Sequence, residues 1–153
     1  MKIKSSGFTF IEIMVVVIIL AILAATAIPA YQAHIRRAHA SVAQQEMLRI
    51  SALLERHKAR NFSYKGFATN EAVIPEGATG AEILYDLELV DGSQTTLSLN
   101  DDEAAGRSWA MQAISTDPKN DSFLLTSTGV RCKNKTSANI TFATCGTAGS
   151  EPW

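Results

Sequence analysis

The chain has 153 residues, with 14 Lys and Arg against 15 Asp and Glu and a formal net charge of −1. That length leaves room for one modest domain beyond an N-terminal helix. The near-neutral balance argues against a dedicated nucleic-acid binder, which normally shows a strong basic patch.

Charge is unevenly spread. From Ile13 to Ala33 there is no charged side chain, and this apolar run follows Lys2, Lys4 and Glu12. Near 20 apolar residues suffice to cross a bilayer as a helix. A carboxylate at the edge of such a segment is expensive and usually marks function. A cleaved secretory signal is one reading, with Ala25-Thr26-Ala27 as a small-residue cut site. Glu12 inside the hydrophobic region, and the smooth passage into an amphipathic helix, favour a retained anchor. Lys2 and Lys4 then predict an N-in orientation, blunted by Arg36 and Arg37 beyond the run. The C-terminal domain is expected on the extracytoplasmic side.

Residues 8–60 read as one helix, roughly 80 Å long at 1.5 Å per residue. Residues 8–33 form its membrane half and 34–60 its amphipathic half. Ala43, Met47, Ile50 and Leu54 recur at helical spacing, and Ile35, Ala38 and Val42 supply a similar stripe before them. Pro29 cannot donate its amide, so a kink or local loosening is expected there. Arg36, Arg37, Arg49, Arg56 and Arg60 read as a solvated face, the first pair being best placed for anionic lipid headgroups.

Residues 61–153 hold six Lys/Arg against twelve Asp/Glu. A loop comes first, with Tyr64, Phe67 and Ile74 as anchors onto the helix. Strands are then expected at Ile83–Val90, around Leu97 and Leu99, at Trp109–Ala113, and at Phe123–Leu125, from alternating apolar residues. Asp91-Gly92 is a hairpin signal between the first two. Ile140, Phe142 and Thr144 add a short extended edge. An antiparallel sheet packed on the amphipathic half of the helix is the natural solution, an α+β arrangement.

Cys132 and Cys145 are separated by twelve residues in a domain expected on an oxidising side, so a disulfide closing loop 132–145 is predicted. Metal binding is the alternative, disfavoured because His34, His39 and His57 all lie upstream. Asn100–Gly106 carries acids without the alternating spacing of a calcium loop. Asn134-Lys-Thr136 and Asn139-Ile-Thr141 match the N-glycosylation pattern but read as polar loop residues. Arg131, Lys133 and Lys135 make a small basic patch beside the cysteines, read as a solvated charge run. No catalytic constellation or cofactor motif is present, so an enzyme is not expected.

Gly7-Phe8-Thr9-Phe10-Ile11-Glu12 ahead of an apolar run resembles the class III leader of type IV pilins and type II secretion pseudopilins. Pro29 also matches that family's pattern. Phe10 stands where many members carry leucine, which keeps the apolar character. The resemblance implies a leader, residues 1–7, cut after Gly7 by a membrane-embedded prepilin peptidase that also N-methylates Phe8. It implies that Glu12 pairs with the N-terminal amine of a neighbouring subunit; an acid among lipid-like side chains is tolerable when a cation compensates it. It further implies the type IV pilin fold, with a long N-terminal helix on a C-terminal antiparallel sheet and a disulfide loop. Ser108–Ile114 and Phe123–Gly129 resemble a PilE-like minor type IVa pilin subgroup.

The expected function is therefore a structural subunit of a type IV pilus, more a minor than a major pilin. Such a subunit would sit in the bacterial inner membrane before assembly and in an extracellular fibre afterwards. It would support adhesion, twitching motility or DNA uptake. Its expected partners are other pilins, the peptidase and the inner-membrane assembly platform, with direct DNA binding not expected from the acidic domain. A major pilin and a type II secretion pseudopilin are the alternatives.

Overall fold

The computed structural model describes residues 8–69 and 72–153. It divides into two compact units, one ending at Arg36 and one comprising Arg37–Trp153. Helix α1 runs from Phe10 to Asn61 and contributes to both. It stays helical through Pro29, with no break at the expected loosening point. The missing proline N–H leaves the Ala25 carbonyl without its usual donor, a loss one helix can absorb. In the first unit Ile11, Val17, Ile22 and Leu23 all expose more than half their surface.

In the second unit α1 lies on a six-stranded sheet. The strands are β1 (Val73–Ile74), β2 (Tyr85–Asp91), β3 (Trp109–Ser115), β4 (Ser122–Thr126), β5 (Arg131–Asn134) and β6 (Glu151–Pro152). They are paired in sequence order, every pair antiparallel. Alternation decides the faces. Leu87 pairs with Ala113 and Ala113 with Phe123; Leu89 pairs with Met111 and Met111 with Leu125. These rows meet Ala43, Met47, Ile50 and Leu54, each fully buried, in one core with Tyr64, Ile74 and Trp109. Each such large aliphatic side chain contributes roughly 1.5–3 kcal/mol by leaving water. Ala38 and Val42 stay exposed, against expectation, while Ala40 packs on the core. At about 100° per residue Val42 points well away from the line through Ala43 and Met47.

The opposite sheet face is polar at one side and covered at the other. Gln112 donates to Glu88 across β3 and β2, at 3.0 Å. Over β4, Leu124 packs beneath Ile140 and Cys145 in a second small core.

Three expected elements fold differently. Leu97 and Leu99 form no strand, and the partner of β2 is Trp109–Ser115. The reason is Asp91, which is fully buried and accepts hydrogen bonds from the Ser93 amide (2.7 Å) and the Gly106 amide (2.6 Å). Its carboxylate thus holds a broad loop instead of a two-residue turn, and Leu99 drops from that loop into the core. Gly106 has φ +62 and a Cβ there would meet the Lys65 backbone at 2.6 Å, so the loop can sit against the end of α1 only with glycine. The Ile140–Thr144 edge is likewise no strand: Ile140 follows a 3₁₀ turn at Ser137–Asn139 and is buried by its contacts alone. The edge is supplied instead by β5 and β6, which lack an alternating apolar pattern.

Candidate functional site

At the start of α1 the backbone N–H groups lack intrahelical acceptors. Thr9 and Glu12 satisfy two of them reciprocally. The Glu12 amide donates to Thr9 Oγ1 at 3.3 Å and the Thr9 amide to Glu12 Oε2 at 3.5 Å. This is a capping box, in which a Ser or Thr and an acid three residues on close the helix entrance. The pattern Thr9-x-x-Glu12 carries the signature, and sequence reasoning weighed the acid without its threonine. Glu12 is exposed and stands in a helix turn surrounded by exposed Phe8, Phe10, Ile11 and Ile13. Phe8 lies immediately before the helix, while the cleavage position Gly7 and the rest of the leader lie outside the described residues. Thr26, the polar side chain within the apolar run, donates to the Leu23 carbonyl at 3.0 Å. From Phe10 to Ala30 the described surface of the first unit is therefore almost wholly apolar, with one anionic group at its head.

Within the second unit, Cys132 and Cys145 form a disulfide with a Cα separation of 6.0 Å. Asn134 locks the loop that it closes. Its side-chain amide donates to the carbonyls of Cys145 and Ala148, both at 2.8 Å, and its oxygen accepts the Thr136 amide at 2.9 Å. With all its polar atoms used and only 3% of its surface exposed, Asn134 is no carbohydrate acceptor.

The patch of Arg131, Lys133 and Lys135 is dismantled by its surroundings. Lys133 lies between Asp121 (3.3 Å) and Glu151 (3.1 Å). Hydrogen bonding to Glu151, reinforced by Asp121, raises its pKa above the ordinary lysine value. Arg131 stacks over the Trp153 ring at 4.5 Å, and that ring packs edge-on against Phe123. Arg131 and Lys135 remain exposed, and Lys133 is half-buried.

The end of α1 is a second basic region. Tyr64 folds back on it, donating to Glu55 at 2.7 Å while Lys58 lies over its ring at 4.6 Å. Burial, and then the Glu55 carboxylate, raise the Tyr64 pKa. Arg56, His57, Arg60, Asn61 and Phe67 line a groove of about 410 Å³. His57 is committed to the Lys65 carbonyl (3.0 Å) and to an edge-on contact with Phe67. Among the described residues no group of three or more His, Cys, Asp and Glu could hold a metal.

An exposed apolar helix with an N-terminal acid, joined to a helix-on-sheet unit with a C-terminal disulfide loop, defines the type IV pilin and pseudopilin class. A model for the prokaryotic N-terminal methylation motif matches residues 2–28, and one described as type IV minor pilin ComP, DNA uptake sequence receptor, matches residues 29–148. The chain belongs to that family of type IV pilins. It is also 46% identical over 61 residues to type II secretion system core protein G of Pseudomonas aeruginosa. That match covers 40% of this chain and 43% of the relative, so the chain spans less than half of the relative's length. No solved structure matches the chain. The fold and the family match are those of structural, non-enzymatic pilins.

Proposed function

We propose that the chain is a minor subunit of a type IV pilus, anchored in the inner membrane by the first half of α1 and then drawn into a fibre. The observation that carries this reading is the apolar surface from Phe10 to Ala33 with Glu12 at its head. Such a surface needs lipid or protein on every side, and an acid there needs a cation. In this reading the prepilin peptidase cuts after Gly7 and methylates Phe8, and Glu12 meets the N-terminal amine of a neighbour during assembly. Arg36 and Arg37 then stand where the helix leaves the hydrocarbon and can meet anionic headgroups.

The test is mass spectrometry on sheared surface fibres, in wild type and in a strain lacking the gene. A chain starting at N-methylated Phe8, present in fibres at low abundance, with piliation reduced in the deletion, supports the minor pilin. An abundance matching the main subunit points to a major pilin. Processed chain confined to membranes, with fibres intact and protein secretion lost, points to a pseudopilin.

A second reading, contact with DNA, is favoured by the family description over residues 29–148. The acidic balance of residues 61–153 opposes non-specific binding by the domain as a whole. Any DNA contact is therefore confined to a local basic surface.

A further inference from the structure

We infer that the DNA-contacting surface is the C-terminal end of α1, with Arg56 and Arg60 holding phosphates and Phe62 stacking on a base; this rests on the second reading above. Phe62 is the observation that demands an explanation. Its φ is +57, the left-handed region, and 91% of its surface is exposed. Its amide donates to the Lys58 carbonyl at 2.7 Å, so it occupies the position just past the helix that glycine or asparagine usually fills. For a bulky residue this backbone is a genuine outlier. A glycine would relieve the strain and remove an apolar ring from water. The chain bears both costs, and a ring that exposed returns almost nothing within the fold. An external partner is what the ring is placed to meet.

The neighbours of Phe62 say which chemistry that partner has. Lys58 is spent on Tyr64 and Lys65 on the Asp102 carbonyl. Arg56 and Arg60 are exposed, and neither joins an ion pair among the described residues. Four residues apart on one helix face, they are separated by about 6 Å along the axis. Their planar forks suit bidentate contact with phosphate. Both line the groove that opens on this end of α1, where Asn61 and His57 add polar edges and Glu76 the one carboxylate among the lining residues. Two exposed arginines beside an exposed aromatic ring form the pairing that single-stranded nucleic acid and splayed bases require: charge for the backbone, a π-face for the base. The Arg131, Lys133 and Lys135 cluster is less suited, since Lys133 is neutralised by two acids and Arg131 is stacked on Trp153.

The experiment uses the full chain in detergent micelles, with fluorescein-labelled duplex and single-stranded DNA followed by anisotropy across a salt series. Arg56→Gln with Arg60→Gln is expected to weaken binding about tenfold or more and to flatten the log–log salt slope by about 2, at roughly 0.9 per lost phosphate contact on duplex. Phe62→Gly is expected to weaken binding several-fold at an unchanged slope, most strongly on single strands, while the melting temperature holds or rises. That last pairing separates a contact from a structural role, because a residue needed for folding cannot be lost without destabilising the domain. Wild-type binding that all three substitutions leave unchanged overturns this surface and leaves the DNA reading standing. No salt-dependent binding by the wild type overturns both. DNA binding intact in variants that no longer enter fibres reassigns the surface to a neighbouring subunit.

Discussion

Between Phe10 and Ala33 the apolar side chains of α1 remain on its surface, whereas from Ala40 to Leu54 those on one side vanish beneath a sheet. One continuous helix thus carries two different surfaces. Its first half is apolar nearly all round, so no rotation about its axis would hide it on one face. Its second half has one apolar line, and the line is already covered within the chain. Substitutions in the first half should therefore be read out in assembly, and those in the second half in the stability of the folded domain.

The sharpest way to break this comparison is at Glu12. Glu12→Gln keeps a side chain able to close the capping box with Thr9 but removes the charge. Fibre incorporation is expected to be lost with cleavage after Gly7 intact, measured by immunoblot of sheared fibres and N-terminal mass spectrometry. Normal incorporation of this variant would show that the cap, not the charge, is what matters. Next in size is a matched pair within α1. Leu54→Ala should cost about 2–5 kcal/mol in urea unfolding of the detergent-solubilised chain, while Val17→Ala should leave that transition unmoved. A comparable loss at Val17 would mean that the first half supports the domain after all.

A smaller effect is expected at Asp91. Asp91→Ala removes the acceptor for the Ser93 and Gly106 amides and leaves the buried Gly106 donor unmet, a loss of about 1–3 kcal/mol. Faster hydrogen exchange confined to residues 92–108 would localise it, and unchanged exchange there would show that other contacts hold the loop. The smallest effect concerns Lys133. Its folded pKa is raised above 10.5, so its ion pairs contribute fully below the unfolded value and fade as the pH climbs through the folded one. As the pH climbs above about 10.5, wild type should lose up to ~1 kcal/mol more than Lys133→Met. Parallel pH profiles for the two proteins would remove the charge from the account.

The helix core was legible because Ala43, Met47, Ile50 and Leu54 keep a strict helical period with nothing competing for it. Strands β2, β3 and β4 were legible for the same reason at period two, through Tyr85 and Leu87, Trp109 and Met111, and Phe123 and Leu125. Leu97 and Leu99 imitate that pattern, but only Leu99 has a place in the core, and the decision lay with Asp91, whose burial no local pattern announces. Strands β5 and β6 carry no alternation; Arg131–Asn134 is drawn into the sheet by the disulfide, by Asn134 and by Trp153. At the candidate sites, the cysteines were legible from residue type and spacing. Neutralisation of Lys133 was not, because Asp121 and Glu151 lie far from it in sequence. Phe62 could not have been singled out either, since its meaning rests on a backbone angle.

Asn134 has a consequence for how the disulfide loop closes. Its amide grips the Cys145 carbonyl while its own strand holds Cys132 two residues away. The two sulfurs can thus be brought together by hydrogen bonds before any oxidant acts, so that the covalent bond records a loop already in place. Oxidative folding then becomes a proofreading step. A chain that has not yet closed its sheet presents its thiols apart, and stays open to reduction or exchange until it does.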